Sequence, residues 1–571
     1  MNFKKYTIGI FLLISLWACD TENFLEVVPQ DAYTNESVYQ TESDMILAVN
    51  GLYTFLPFLE ADVSDPKLWF WTDDGWRRRG RFGADLQWLS SEGETTFNFY
   101  RYDGIRQCNE IISRLPGVDF QTADLERRLE AEARFIRAML YERMLFFYGD
   151  VSLVTEPQGP DFLPARTPRL EVFEFVNAEL EEIVNFLPES YELSEQGRIT
   201  KWAARALQAR ANLDALAWHP ERASLYDQAE LACKDIIDNG GFSLDEGIKG
   251  FSRLFTIESD YTGSQASNAV ILSRVYVEGE LFYEEMSNKC LPRGSYQGFG
   301  DGAGNNQAQF GATWNLISSF QTINGKAPTD ELGTVYSEER PFENMDPRMK
   351  ASFILPGDAL QTVDGGGAVY YNWQPHPDLS VFPQDAIGNR TGIETGYLIR
   401  KYSGLGIDND STIVYDNPSR AHADYKIIRY AEVLLMMAEC LAADNNVQAL
   451  DYVNEVRLRA GMPVYTSLAD VPLSLRSGTT GNDLIDAVLL ERRYEFAGEG
   501  FQRMSDIWRY QLGDQVFGLV EGISTDPARP GALSGDRFIA TEKVWQDKFY
   551  LFPLPQTALD LNPNIENNPG W

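Results

Sequence analysis

Residues 124–157, DLERRLEAEARFIRAMLYERMLFFYGDVSLVTEP, hold the longest uninterrupted helical pattern of the chain and then stop abruptly. Leu125, Leu129, Ala133, Ile136, Leu140, Met144 and Phe147 recur at spacings of three or four and so share one helix face. Phe135, Met139 and Phe146 widen the apolar arc beyond a single packing contact, which predicts an inner helix covered from two sides. Gly149 supplies a C-terminal stop of the left-handed kind, and VSLVTEP reads as a short extended segment ended by proline.

Working outward, further helical patterns come in short-linked pairs. Leu170 to Leu187 follows the opening helix, and Lys201 to Trp218 is followed by Ala223 to Asp238. Ala203, Ala206, Ala209 and Ala211, facing Ala229 and Ala232, let two helix axes approach closely. Paired antiparallel helices of this length resemble tetratricopeptide-type hairpins, although the repeat is degenerate. Upstream, Ser43 to Phe58 makes a helix with Ser43 as its cap, and Tyr102 to Leu115 pairs with it across an aromatic-rich insertion at 59–100. Downstream, Asp424 to Ala443 pairs with Val447 to Ala460, and Asp483 to Ala497 with Phe501 to Gln511.

Between these bodies, residues 239–423 lose the helical signal and fill with Gly, Asn, Pro and aromatics. The strand candidates there are Ala269 to Val277, Ala351 to Leu355 and Gly396 to Tyr402. The expected organisation is therefore mainly α and one domain overall. It has a helical-hairpin part at 43–238, a loop-rich insertion at 239–423, and a C-terminal helical part with an extended tail at 424–571.

The first residues lie outside that fold. Lys4 and Lys5, an apolar run from Tyr6 to Trp17, and the ending Leu16-Trp17-Ala18-Cys19 read as an export signal over 1–18. The ending resembles a lipobox with Trp17 in place of the usual small residue. Acylation of Cys19, by palmitate among other chains, would hold the protein on a membrane through a tether at 19–42. An ordinary signal peptide cut elsewhere would leave Cys19 unmodified. Asp20 and Glu22 follow at once, as in some surface-exported lipoproteins.

Composition excludes some function classes. With 49 Lys+Arg against 84 Asp+Glu, the formal charge of −35 argues against a nucleic-acid partner, which would need clustered cations. Cys108, Cys233, Cys290 and Cys440 form no CxxC and read as buried thiols, with no metal cluster. No GxSxG, HExxH or Walker A motif is present, and His219, His376 and His422 are far apart. His219 precedes Pro220 and reads as a cap or solvent residue. Glu491, Arg492, Arg493 and Glu495, like Arg429 and Glu432, read as ion pairs at a helix junction and not as an acid/base pair. GIDNDST at 406–412 offers Asp408 and Asp410 as a possible calcium turn, against an ordinary acidic turn.

A binding surface must then come from the insertions. Residues 69–88 carry Trp69, Phe70, Trp71, Trp76 and Trp88 beside Asp73, Asp74 and Arg77-Arg78-Arg79, while residues 283–314 carry Tyr283, Tyr296, Phe299 and Trp314. Flat aromatic faces stack on sugar rings, and forked donors and carboxylates meet hydroxyls. The competing reading is that these aromatics pin the loops to the helical body.

Six ordered blocks resemble the SusD/RagB family of outer-membrane lipoproteins. They are AEARFIRAMLYERMLFFYGDVSLVTEP, GRITKWAARALQARANL at 197–213, YKIIRYAEVLLMMAECL at 425–441, ALDYVNEVRLRAGMP at 449–463, LLERRYEFAGEGFQRMSDIWRY at 489–510, and FPLPQTALDLNPNIENNPGW at 552–571. The resemblance implies a right-handed superhelical scaffold of tetratricopeptide-like hairpins with a long irregular insertion. It also implies a non-catalytic surface receptor that passes an oligosaccharide to a SusC-like, TonB-dependent transporter partner, with no resident cofactor. It further directs the ligand to the loop regions, and so to Trp76, Trp88, Tyr296, Trp314, Asp74, Arg78, Tyr283 and Trp71. A peptide receptor on the same scaffold, as in the RagB branch, and a surface glycoside hydrolase are the competing functions.

Overall fold

Ten helices carry the scaffold of the computed structural model: α1 Glu42–Leu52, α2 Tyr102–Arg114, α3 Leu125–Tyr148, α4 Arg169–Ile183, α5 Lys201–Ala215, α6 Ser224–Asn239, α7 Tyr430–Ala443, α8 Ala449–Arg459, α9 Asp483–Glu495 and α10 Phe501–Arg509. The structure describes residues 39–57, 65–77, 86, 89–92, 99–260, 266–277, 290, 309–361, 368–370, 373–374, 384–385, 393, 395–403, 423–526 and 528–571.

Helix α3 is the inner helix that its spacing predicts, since every residue from Phe135 to Tyr148 is buried. It packs between α2 and α4, and successive neighbours continue the stack through α5 and α6. The alanines at 203, 206, 209, 211, 229 and 232 are all buried where α5 meets α6. The chain then leaves for the long insertion and returns at α7, which lies on α6 and against α8. Arg210 of α5 reaches across this junction with Nε and Nη2 each 2.9 Å from a carboxylate oxygen of Glu432 on α7. The two helical blocks are thus one continuous stack, although about 190 residues separate them in sequence.

Several element boundaries differ from the sequence expectations for local reasons. The cap of α1 is Thr41 and not Ser43, because the Thr41 hydroxyl accepts from Asp44 N while the Asp44 carboxylate accepts from Thr41 N. Helix α7 begins at Tyr430, and the preceding residues Tyr425–Arg429 form a strand paired with Val270–Arg274, a pairing with a partner 150 residues upstream that no local pattern shows. Gly149 does stop α3, but with φ 70° and ψ −121°, outside the left-handed helical region. A side chain there would also press on Leu551.

That approach of Leu551 shows what the C-terminal tail does. The last carbonyls of α3 have no partners within the helix. Phe552 N donates to Phe147 O at 2.6 Å, and Tyr148 O accepts from Asn568 Nδ2 at 3.0 Å and Arg166 Nη2 at 2.8 Å. The tail is extended except for a helical turn and a half at Gln556–Leu561, and it covers the bundle end as the proline punctuation suggests.

The two insertions share one layer. Strands Gly75–Arg77, Phe310–Ala312, Tyr397–Ile399 and Phe353–Ile354 lie side by side in that order in a four-stranded antiparallel sheet. Two of the three strand candidates of the long insertion belong to this sheet, and the third is Val270–Arg274. Gly311 is required at its centre, because a Cβ would fall 1.9 Å from the Tyr397 carbonyl oxygen of the neighbouring strand.

Helix α9 fastens this layer to the scaffold through buried charges. Glu491 accepts from Arg457 at 3.1 Å and pairs with Arg348 at 2.6 Å. Glu495 meets Arg429 at 3.0 Å and Arg348 at 3.3 Å, and also bonds Arg459. Arg492 takes Asp506, and Arg493 takes Asp74. All of these residues are at most 7% exposed, so the junction reading of this motif holds. Burial would raise the Glu495 carboxyl, but Arg459, Arg429 and Arg348 outweigh it and hold it well below the usual carboxylate range.

Removing one member of such a set leaves uncompensated charge in the interior. Glu495→Ala is expected to lower stability by about 3–5 kcal/mol in urea unfolding, with a smaller loss for Glu495→Gln. An unchanged midpoint would mean that the three guanidinium groups find water or other partners.

Candidate functional site

The segment Leu68-Trp69-Phe70-Trp71 precedes the first strand of the sheet, and all four side chains are at most 1% exposed. Trp71 lies edge-on to Phe552 with ring centroids 5.5 Å apart, and Phe70 stacks on Phe310 at 4.5 Å. The turn that follows is closed by Lys543, whose Nζ donates to the carbonyls of Phe70, Thr72 and Gly75 at 2.5–2.8 Å. Asp73 accepts from Arg503 Nε and Nη2 at 2.9 and 2.8 Å and from the Ser477 hydroxyl at 2.6 Å. Asp74 accepts from Arg493 Nε at 2.9 Å. Burial would raise the Asp73 carboxyl, but Arg503 and then Arg493 overcome it and hold it at about 2.

This fastening fixes where the aromatic segments begin. In the register of the sheet Arg77 faces Phe310, Trp76 faces Gly311 and Gly75 faces Ala312. The chain beyond Arg77 and the chain arriving at Phe310 therefore start side by side, one strand spacing of about 4.8 Å apart. The two aromatic-rich segments are thus joined where Arg77 of the first pairs with Phe310 of the second. Thr313 adds to it, with its hydroxyl donating to Asp73 O at 2.8 Å, its N–H donating to Asp74 O at 2.9 Å, and its oxygen capping the short helix Trp314–Ile317.

The placement of the expected ligand-binding residues divides sharply. Trp71, Trp76 and Trp314 are 0%, 2% and 5% exposed, and Asp74 is 1% exposed. Trp314 is covered by the Arg537 guanidinium 3.8 Å from its ring centroid and lies 6.3 Å from Tyr397. These four were expected to face ligand. Instead, packing takes up the ring faces and Arg493 takes up the carboxylate, so they pin the layer to the helical body. Trp88, Tyr296, Arg78 and Tyr283 lie outside the described residues, as do Cys19 and the Asp408/Asp410 turn. What sequence reasoning missed is the clamp itself. The adjacent acids Asp73-Asp74 between apolar rings were its signal, because buried carboxylates require fixed cations.

Other chemistry is also placed. Cys108, Cys233, Cys290 and Cys440 are buried, and burial pushes the Cys108 thiol up to about 12. Cys233 and Cys440 sit on facing helices α6 and α7. Among the described residues no group of three His, Cys, Asp or Glu could hold a metal ion. His219 is partly exposed in its turn, with Nδ1 3.2 Å from Glu221. One carboxyl pair with acid-like character is Glu142 with Asp214, Glu142 being pushed up to about 8 by burial and by Asp214 beside it. Both are at most 3% exposed, and the space that Asp214 lines is about 10 Å³, too small for a sugar ring.

Asp73 links the fastening to pH. Its folded-state value lies below the unfolded one, so its contribution is complete above about pH 4 and disappears as the pH falls through 2. Asp73→Asn is expected to remove on the order of 2 kcal/mol of stability at pH 7 and to flatten the acid limb of a urea-unfolding series below pH 4. A parallel acid limb in the variant would show that other carboxylates carry it.

Comparison with known proteins places this arrangement. The model described as "SusD family" matches residues 276–571, more than half of the chain, and one described as "Starch-binding associating with outer membrane" matches residues 81–213. SusD-like protein P2 of Formosa agariphila is 26% identical over the whole of both chains. A SusD-like protein of Bacteroides ovatus is 34% identical over 70% of this chain and 62% of its own. Among solved structures, a SusD-like carbohydrate-binding protein of Bacteroides fragilis superposes with a TM-score of 0.75 at 20% identity, over 93% of this chain and 100% of its own. Surface glycan-binding protein A of Bacteroides uniformis gives 0.61 at 19% identity, over 92% of this chain and 99% of its own. With a helical stack, an inserted sheet and a matching family model over most of its length, this chain belongs to the SusD family.

Proposed function

We propose that this protein is a non-catalytic, lipid-anchored receptor of the outer-membrane surface that captures an oligosaccharide and hands it to a SusC-like, TonB-dependent transporter. Family membership and the carbohydrate-binding names of similar proteins support the ligand class. The observation that carries the reading is the shared root of the two aromatic-rich segments at Arg77 and Phe310. A fastened base with two aromatic segments leaving it side by side is what an aromatic arc for sugar rings requires. On this reading Trp88, Tyr296, Arg78 and Tyr283 contact the ligand, while Trp71, Trp76, Trp314 and Asp74 hold the base. Acylated Cys19 supplies the anchor. The transporter partner follows from the family resemblance, and the acidic balance of the chain keeps nucleic acid off the partner set.

Calorimetric titration of soluble protein beginning after Cys19 tests this, against plant, host and microbial oligosaccharides and a mixed peptide pool. One glycan class is expected to bind without turnover, and Trp88→Ala or Tyr296→Ala to weaken it about tenfold with an unchanged unfolding midpoint. Trp76→Ala and Trp314→Ala are expected to cost about 3–5 kcal/mol of stability, because their rings fill the interior. Binding confined to peptides would overturn the glycan reading, and hydrolysis of a bound glycan would overturn the non-catalytic one.

A further inference from the structure

The residue after the Pro168 turn, the loop after α5, the end of α10 and the C-terminal tail enclose a cleft of about 510 Å³. That is within the roughly 300–1,000 Å³ of small-molecule sites. Phe146, Leu551, Trp218, Trp508 and Tyr550 give it an apolar and aromatic lining. Trp508 and Tyr550 are held rigid, edge to face with each other at 5.9 Å and with Trp545 at 5.3 and 4.6 Å. Gln511 sits at the rim with a positive φ of 51°, beside the exposed carboxylates of Asp514 and Asp547.

The cation in this cleft is Arg169. Its backbone N–H donates to Asp150 Oδ1 at 2.8 Å, which fixes the residue at the start of α4. Its guanidinium lies 5.1 Å from the Trp218 ring centroid and, among the described residues, has no hydrogen bond or ion pair. Two other part-buried arginines, Arg134 and Arg198, do carry acidic partners, Glu179 and Glu132. Burial lowers the Arg169 pKa while Asp150 opposes that, so the group carries a desolvation cost that no hydrogen bond offsets.

We infer that this cleft is a second ligand site, separate from the sheet platform, and that it takes an acidic sugar residue of the hexuronate class. The ligand carboxylate would meet the Arg169 fork, its ring would rest against Tyr550 and Trp218, and its hydroxyls would donate to Asp514, Asp547 and Gln511. A neutral sugar would leave the guanidinium unpaired, and a small inorganic anion would leave the aromatic walls and rim acceptors unused.

Titration of the purified protein with a uronic-acid trisaccharide, followed by tryptophan fluorescence, tests the assignment, with the matching neutral trisaccharide and an acidic tripeptide as probes. The uronate is expected to quench fluorescence saturably and more weakly at high salt. Arg169→Gln is expected to weaken that binding about tenfold or more, with Arg169→Lys recovering part of it and neither altering the unfolding midpoint. Trp218→Ala is expected to weaken binding without affecting ligands of the sheet platform. Equal affinity for the neutral trisaccharide, preference for the acidic peptide, or undiminished uronate binding by Arg169→Gln would each overturn the proposal.

Discussion

The structure depends on one constraint: charge taken out of water must be paired. Helix α9 presents Glu491, Arg492, Arg493 and Glu495 into a dry interior, and each must find a partner of opposite sign. The partners come from Arg348 and Arg429 around the long insertion, from Arg457 and Arg459 of α8, from Asp506 of α10, and from Asp74 of the first insertion. Apolar packing tolerates a shifted register, but a bidentate guanidinium pair does not. This set therefore decides how the insertions sit on the helices.

The same logic explains why aromatic richness alone misplaces the site. Rings at 69–71, 76 and 314 are buried, as are Asp73 and Asp74 with their arginines, and ion pairs are stronger in so dry an interior. A ring that excludes water from a salt bridge cannot also offer its face to a ligand. The division of labour is between aromatics that insulate the base and aromatics on the segments that leave it.

Arg169 and its cleft illustrate the converse. On the reading proposed above, the part-buried Arg169 guanidinium beside Trp218, without a hydrogen bond or ion pair among the described residues, is a place where the partner is supplied from outside. Tryptophans 218, 508 and 545 and Tyr550 come from three distant parts of the sequence, and no pattern in any one of them marks the cleft.

The sequence by itself determined the helices and their pairing, because a helix reports its buried face through a local period that survives without knowledge of the partner. It marked α3 as the inner helix, the alanine contact of α5 with α6, and the ERR motif of α9 as a junction. The signal and lipobox reading of residues 1–19 likewise rests on local pattern alone. Only the tertiary structure decided that Tyr425–Arg429 is a strand, that residues 75–77 and 310–312 pair, and which aromatics face inward. Those facts depend on partners more than 150 residues away. Strand pairing and burial are properties of two surfaces meeting, and one short segment carries no record of the other.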